Sequence, residues 1–147
     1  MDIAVMGAGG VGGYFGGLLA RAGNDVTFIA RGPHLEAIRR NGLRVESGND
    51  GIFTVPGKAT DNPAEIGPRE LVLFTVKMHD NDAAIRAIAP LVGPDTIILT
   101  LQNGIDNGER LVDAYGPERV MIGSAYLEGR ISEPGVEIGR ASCRERV

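Results

Sequence analysis

The feature that most constrains the fold is the hexapeptide Gly7-Ala8-Gly9-Gly10-Val11-Gly12, lodged between a short apolar run and a helical pattern. Ahead of it stands Met1-Asp2-Ile3-Ala4-Val5-Met6, which reads as a strand. Behind it, Tyr14, Phe15, Leu18, Leu19 and Ala22 recur at helical spacing, and Asp25-Val26-Thr27-Phe28-Ile29-Ala30 reads as a second strand ending at Arg31. Strand, glycine turn, helix, strand is a βαβ unit suited to a dinucleotide. Gly7 permits the tight turn, Gly9 removes a Cβ that would block a pyrophosphate, and Gly12 lets the helix approach the strand. Ala8, Gly10 and Val11 complete the loop, and the helix start offers free N–H groups and partial positive charge to phosphates. One glycine would make a turn; three at these offsets point to a ligand.

The end of the second strand selects the cofactor. NAD sites usually carry an acid there, accepting hydrogen bonds from the ribose 2′-hydroxyl. This chain has Arg31 instead, with no acid from Val26 to Pro33. A guanidinium pairs with a 2′-phosphate that a carboxylate would repel, so NADP(H) is the expected cofactor.

Composition narrows the partners. The 147 residues suffice for one domain with a proper core, and a net charge of −4 argues against nucleic acid or an anionic membrane. No apolar run approaches the roughly 20 residues that span a bilayer. The one cysteine, Cys143, allows no disulfide framework and fits a cytoplasmic location.

The remaining pattern alternates strands and helices. Pro33 to Asn41 reads as a helix with Leu35 and Ile38 inward and Gly42 as its stop. Leu43 to Ser47 and Ile52 to Val55 read as a hairpin joined by the four-residue turn Gly48-Asn49-Asp50-Gly51, with a short helical turn after Asn62. Leu71 to Val76, Thr96 to Leu101 and Val120 to Ala125 read as strands, separated by helices over Asp80 to Leu91 and Asn107 to Tyr115. Glu133-Pro134-Gly135 turns between two short strands. The expectation is an α/β, Rossmann-type doubly wound, mostly parallel sheet with an inserted β-hairpin, over residues 1–137.

In open α/β sheets, ligands bind outside the carboxyl ends of the strands. Lys77 and Asn103 both stand at that edge, as do Gly7 and Arg31. Lys77 offers a cation for a carboxylate or ribose, and Asn103 both donates and accepts, which suits a nicotinamide or a substrate oxygen. His34 and His79 have no ligand-spaced partners and read as loop or helix-start residues, so no metal site is expected.

Taken together, the glycine loop, Arg31, Thr75-Val76-Lys77, Leu101-Gln102-Asn103-Gly104 and Glu133-Pro134-Gly135 resemble the N-terminal domain of the ketopantoate reductases. The resemblance implies reduction of 2-dehydropantoate to (R)-pantoate by NADPH, a step of pantothenate and coenzyme A synthesis. It implies cofactor contacts at the glycine loop and Arg31, and cofactor or substrate contacts at Lys77 and Asn103 in supporting catalytic roles. The family's helical C-terminal domain supplies the lysine that protonates the alkoxide and a glutamate that holds substrate; that domain is expected to be missing here. Residues 138–147 read like a translated sequencing adapter and are set aside as an artefactual tail. A homodimer of the full-length protein is one expectation. The alternatives are another 2-oxoacid or opine-type dehydrogenase, and a dinucleotide-binding module without turnover.

Overall fold

The structure is a computed structural model that describes residues 1–102 and 105–141. Among these residues, ten strands and four α-helices follow one another as β1 (Asp2–Met6), α1 (Gly10–Arg21), β2 (Asp25–Ile29), α2 (Gly32–Asn41), β3 (Leu43–Ser47), β4 (Gly51–Val55), β5 (Ala59–Thr60), β6 (Leu71–Phe74), α3 (Asn81–Ala87), β7 (Ile97–Thr100), α4 (Ile105–Tyr115), β8 (Val120–Ile122), β9 (Leu127–Glu133) and β10 (Val136–Ala141). Six strands form a parallel sheet in the order β5-β2-β1-β6-β7-β8. The chain winds outward from β1 to β2 and β5, then returns to lay β6 against the other side of β1. That reversal makes the switch point, between β1 and β6, where such sheets open a crevice.

The apolar strands are continuous because both faces of this sheet are covered. Ile3 and Val5 point into one core with Val26, Phe28 and Leu73, while Ala4 points into the other with Val72, Phe74 and Ile98. The second core is closed by Ala84, Ile85 and Ile88 and by Leu111 of α4.

The hairpin belongs to a second, four-stranded sheet ordered β4-β3-β10-β9. In it β3 pairs antiparallel with β4 and parallel with β10. Helix α1 is sandwiched between the two sheets, and its glycines lie where backbone and sheet come closest. A Cβ on Gly16 would sit 2.8 Å from Val5 and 2.7 Å from Phe28 of the parallel sheet. One on Gly17 would sit 2.7 Å from Val45 of the other sheet, and one on Gly13 2.6 Å from Glu137. Tyr14, buried to 1%, reaches the β3–β4 turn and hydrogen-bonds to Ser47 and Asp50.

Some boundaries differ from the sequence reading. The hairpin loop is three residues, because Gly51 already pairs with Ser47. The helix from Asp80 ends at Ala87 and gives way to a 3₁₀ turn over Ala89–Leu91; Pro90 lacks the N–H and crowds the preceding turn. Strands β6, β7 and β8 are shorter than their apolar runs, since pairing stops where the neighbouring strand turns away. Strand β10 continues past the Glu137 boundary through Ala141, pairing Ile138 with Glu46 and Arg130, and Gly139 with Ser47 and Gly129. A Cβ on Gly139 would meet the Tyr14 ring at 2.2 Å, so a larger residue would not fit there.

Candidate functional site

Strand β1 ends at Met6 and the chain turns at Gly7, whose φ of +98° suits glycine alone. Its missing Cβ leaves room for the backbone of Val76, which a Cβ would approach to 2.9 Å. The Thr75 hydroxyl donates to the Gly7 carbonyl at 2.8 Å and lies 3.2 Å from that of Met6. The glycine turn is thereby tied across the switch point to the exit of β6.

Gly9 caps α1 with no side-chain hydrogen bond of its own, and a Cβ there would meet nothing within 4 Å. The N–H of Gly13 bonds back to the Gly9 carbonyl at 2.7 Å, and the N–H groups of Gly10, Val11 and Gly12 at the start of the helix have no backbone partner among the described residues. Gly10 packs back to back with Gly129 of β9, where an added Cβ would come within 2.2 Å of the Gly129 carbonyl oxygen. Gly12 is closed in by Gly7, Thr75 and Val5. Ala8 is buried to 4% and Val11 half-buried. The loop therefore exposes one face, at Gly9, and is packed on the others.

Arg31 stands two residues beyond β2 and caps α2. Its guanidinium is 83% exposed and lies 3.4 Å from the Asp80 carboxylate, which also lies 3.3 Å from His79. The exits of β2 and β6 thus meet through an ion pair at the mouth of the crevice. Lys77 sits three residues beyond β6, exposed, and its ammonium has no ion-pair or hydrogen-bond partner among the described residues. Asn103 lies outside the described residues, between Gln102 and the start of α4. Gln102 is described: its amide donates to the Val76 carbonyl at 2.7 Å and to Asn81 at 3.2 Å, joining the exits of β6 and β7.

Three participants were given no role of their own by the sequence reading. Thr75 reads as an interior residue of the apolar run Leu71 to Val76, although a hydroxyl near a strand exit is a usable signal. His34, read as a helix-start residue, lies beneath the loop: its Nε2 is 2.7 Å from the Ala8 carbonyl and its Nδ1 accepts the Gly135 N–H at 2.9 Å. Burial lowers the His34 pKa, opposed by the bond to Ala8. Glu137 is fully buried beside it, with Oε1 3.7 Å from Nε2 and neither carboxyl oxygen hydrogen-bonded among the described residues. Burial raises the Glu137 pKa to about 8, so this carboxyl is protonated at neutral pH. Only the three-dimensional pairing of β10 reveals it.

A parallel sheet with a glycine turn and an open helix N-terminus at its switch point defines a Rossmann-type α/β domain. The chain belongs to the ketopantoate reductase family: the family model described as Ketopantoate reductase PanE/ApbA matches residues 3–138. The 2-dehydropantoate 2-reductase of Pyrococcus horikoshii is 39% identical, over 92% of this chain and 43% of that protein. The crystal structure of 2-dehydropantoate 2-reductase from Geobacter metallireducens is 45% identical and superposes with a TM-score of 0.90, over 97% of this chain and 47% of that one. A D-mandelate dehydrogenase solved with NADH and anilino(oxo)acetate is 26% identical with a TM-score of 0.83, over 94% of this chain and 45% of that one. The chain spans a little under half the length of these relatives. No helix among the described residues is long and apolar enough to cross a membrane.

Proposed function

We propose that this chain is the NADPH-binding part of a 2-dehydropantoate 2-reductase. The observation that carries the reading is the open face at Gly9, set at the switch point with a helix N-terminus behind it and Arg31 just beyond the neighbouring strand β2. Pyrophosphate oxygens suit that cradle, because unsatisfied N–H groups and the helix dipole both favour an anion. Arg31 suits a 2′-phosphate, and no acid stands in the chain from Val26 to Pro33.

When bound, NADPH supplies a hydride to the carbonyl carbon of the 2-oxoacid. The carbonyl oxygen then takes up negative charge and a proton, giving the hydroxy acid. Lys77, exposed at the crevice and without a partner among the described residues, is a cation suited to hold the substrate carboxylate or a cofactor ribose. Asn103, next to Gln102 at the exit of β7, is the proposed amide contact to nicotinamide or substrate. The proton donor to the alkoxide belongs to the helical domain that the family resemblance places in the other half of the full-length protein. Positioning a ketone and excluding water need that second wall. This chain alone is therefore expected to bind NADPH and turn over little. The assay follows reduced-nicotinamide absorbance with 2-dehydropantoate, for this chain and for a version extended by the downstream reading frame. Substantial turnover by the short chain would refute the division of labour and make Lys77 the proton donor. Silence in both, despite NADPH binding, would favour a different 2-oxoacid substrate or a binding module.

A second reading is favoured by the D-mandelate dehydrogenase likeness: a reductase for a different 2-oxoacid, mandelate being a 2-hydroxy acid. Turnover of the extended chain with a 2-oxoacid panel separates the two.

Cofactor choice has its own test. Isothermal titration should show NADPH binding more tightly than NADH. Arg31→Ala should cost about 1.5 kcal/mol of NADPH affinity, the low end for a charge-assisted hydrogen bond because the guanidinium is so exposed. Asp80→Asn should strengthen NADPH binding several-fold and leave NADH unchanged, since the Asp80 carboxylate competes with a phosphate for the same guanidinium. Equal affinities for both nucleotides in the parent would overturn the NADP assignment.

A further inference from the structure

We propose that His34 is the positioning residue of the nucleotide loop, setting the direction in which the loop presents its N–H groups. The proposal deepens the nucleotide reading above and rests on it. The two partners of the imidazole fix the place of its proton. Nδ1 receives the Gly135 N–H at 2.9 Å, so Nδ1 carries a lone pair. A neutral ring then has its proton on Nε2, which donates to the Ala8 carbonyl at 2.7 Å. Each ring nitrogen has one bond and each bond has one possible polarity.

A trans peptide is planar, and its carbonyl and N–H point in opposite directions. Holding the Ala8 carbonyl toward His34 therefore aims the Gly9 N–H away from His34. The same logic applies one residue earlier, where the Thr75 hydroxyl holds the Gly7 carbonyl at 2.8 Å and so aims the Ala8 N–H away from Thr75. Two successive carbonyls of the loop are pinned by side chains from different elements, α2 and the exit of β6. The loop has no side chain of its own able to do this, since Gly7, Ala8, Gly9 and Gly10 carry no polar group. Without His34 the Ala8–Gly9 peptide is free to rotate, because glycine on its far side imposes little restraint.

His34 also adds a hydrogen-bonded link between the loop and the second sheet, beside the Gly10–Gly129 packing. Gly135 is the turn between β9 and β10, and its N–H bond to Nδ1 places the imidazole between that turn and Ala8. The geometry gives this sheet a role in the site, as the fixed end of a strut whose other end is the nucleotide loop.

Two side chains of graded length separate positioning from mere packing. In His34→Asn the amide reaches the place of Nδ1 and keeps an acceptor for Gly135, but it is too short to donate to Ala8. In His34→Gln the amide N–H reaches the place of Nε2. NADPH titration by calorimetry on this chain should give Gln within about twofold of the parent and Asn weaker by about fivefold to tenfold, the range of one lost hydrogen bond. Thermal melts accompany both variants, and ¹⁵N spectra of the imidazole in the parent should show a protonated Nε2 and an unprotonated Nδ1. Equal affinity of Asn and parent, equal loss in Asn and Gln, or the opposite tautomer would overturn the proposal. A parent that binds no nucleotide at all would instead overturn the functional reading, and this role with it. If the Asn variant fails to fold, the tautomer and the Gln affinity decide.

Discussion

Gly9→Val should give a folded protein that has lost NADPH, whereas Gly12→Ala should give a strongly destabilised one. The two residues belong to one motif, but their surroundings are opposite. A Cβ on Gly9 meets nothing within 4 Å, so the substitution creates no clash within the protein. The added isopropyl group instead fills the space proposed for the pyrophosphate, and a loss of about a hundredfold or more in affinity is expected. A Cβ on Gly12 would stand 2.1 Å from the Gly7 carbonyl oxygen and 2.3 Å from the Thr75 hydroxyl. The first of these is backbone and cannot swing aside. The second already donates to that same Gly7 carbonyl, so moving it sacrifices a hydrogen bond. Overpacking at such a place costs on the order of 3 kcal/mol, a large part of the stability of a domain this size. Circular dichroism melts and NADPH titration on both variants make the check. Retained affinity in folded Gly9→Val, or a parent-like melt for Gly12→Ala, would contradict the geometry.

The second large effect is a gain. Glu137→Gln should stabilise the protein at neutral and alkaline pH and do nothing in acid. Burial lifts the Glu137 carboxyl from its ordinary value of 4.5 to about 8, with no hydrogen-bond partner among the described residues to favour the charged form. The sign follows from proton counting. Between those two values the folded protein keeps a proton that the unfolded chain releases, so stability falls as pH rises through that window. The penalty grows by about 1.4 kcal/mol per pH unit, and reaches on the order of 3 kcal/mol near pH 7. Gln is nearly isosteric and does not titrate, but its buried amide is also short of partners. In acid the neutral carboxyl is equally short of partners, so variant and parent should match near pH 4, and the variant should gain on the order of 4 kcal/mol over the parent by pH 8. Urea midpoints at the two pH values measure it. Parent stability that stays flat across this range would mean that Glu137 is not buried as a neutral acid.

These predictions also mark what the sequence could and could not say. The glycine loop was legible because its chemistry is local: a positive φ at Gly7, a bare face at Gly9 and a close helix at Gly12 all follow from the absence of a Cβ at fixed offsets. The parallel strands were legible because burial on both faces leaves an unbroken apolar run, as in Leu71 to Phe74. Arg31 was legible as the residue closing β2, though its Asp80 partner, 49 positions away, was not.

What the sequence left undecided came from contacts between distant segments. The hairpin looked like an isolated insertion, yet β3 is the seat of a second sheet because β10 returns beside it across some ninety positions. That return buries Glu137, which simple alternation leaves ambiguous, and it carries a strand through Ala141 where local composition suggested none. It also brings Gly135 onto His34, turning a helix-start histidine into a strut beneath the loop. By itself, the sequence determined the βαβ unit and the place of its glycine turn, because those depend on backbone freedom and period. The tertiary structure alone decided which side chains hold that unit in shape, because a hydrogen bond between α2, the glycine loop and the β9–β10 turn exists only once all three have been brought together.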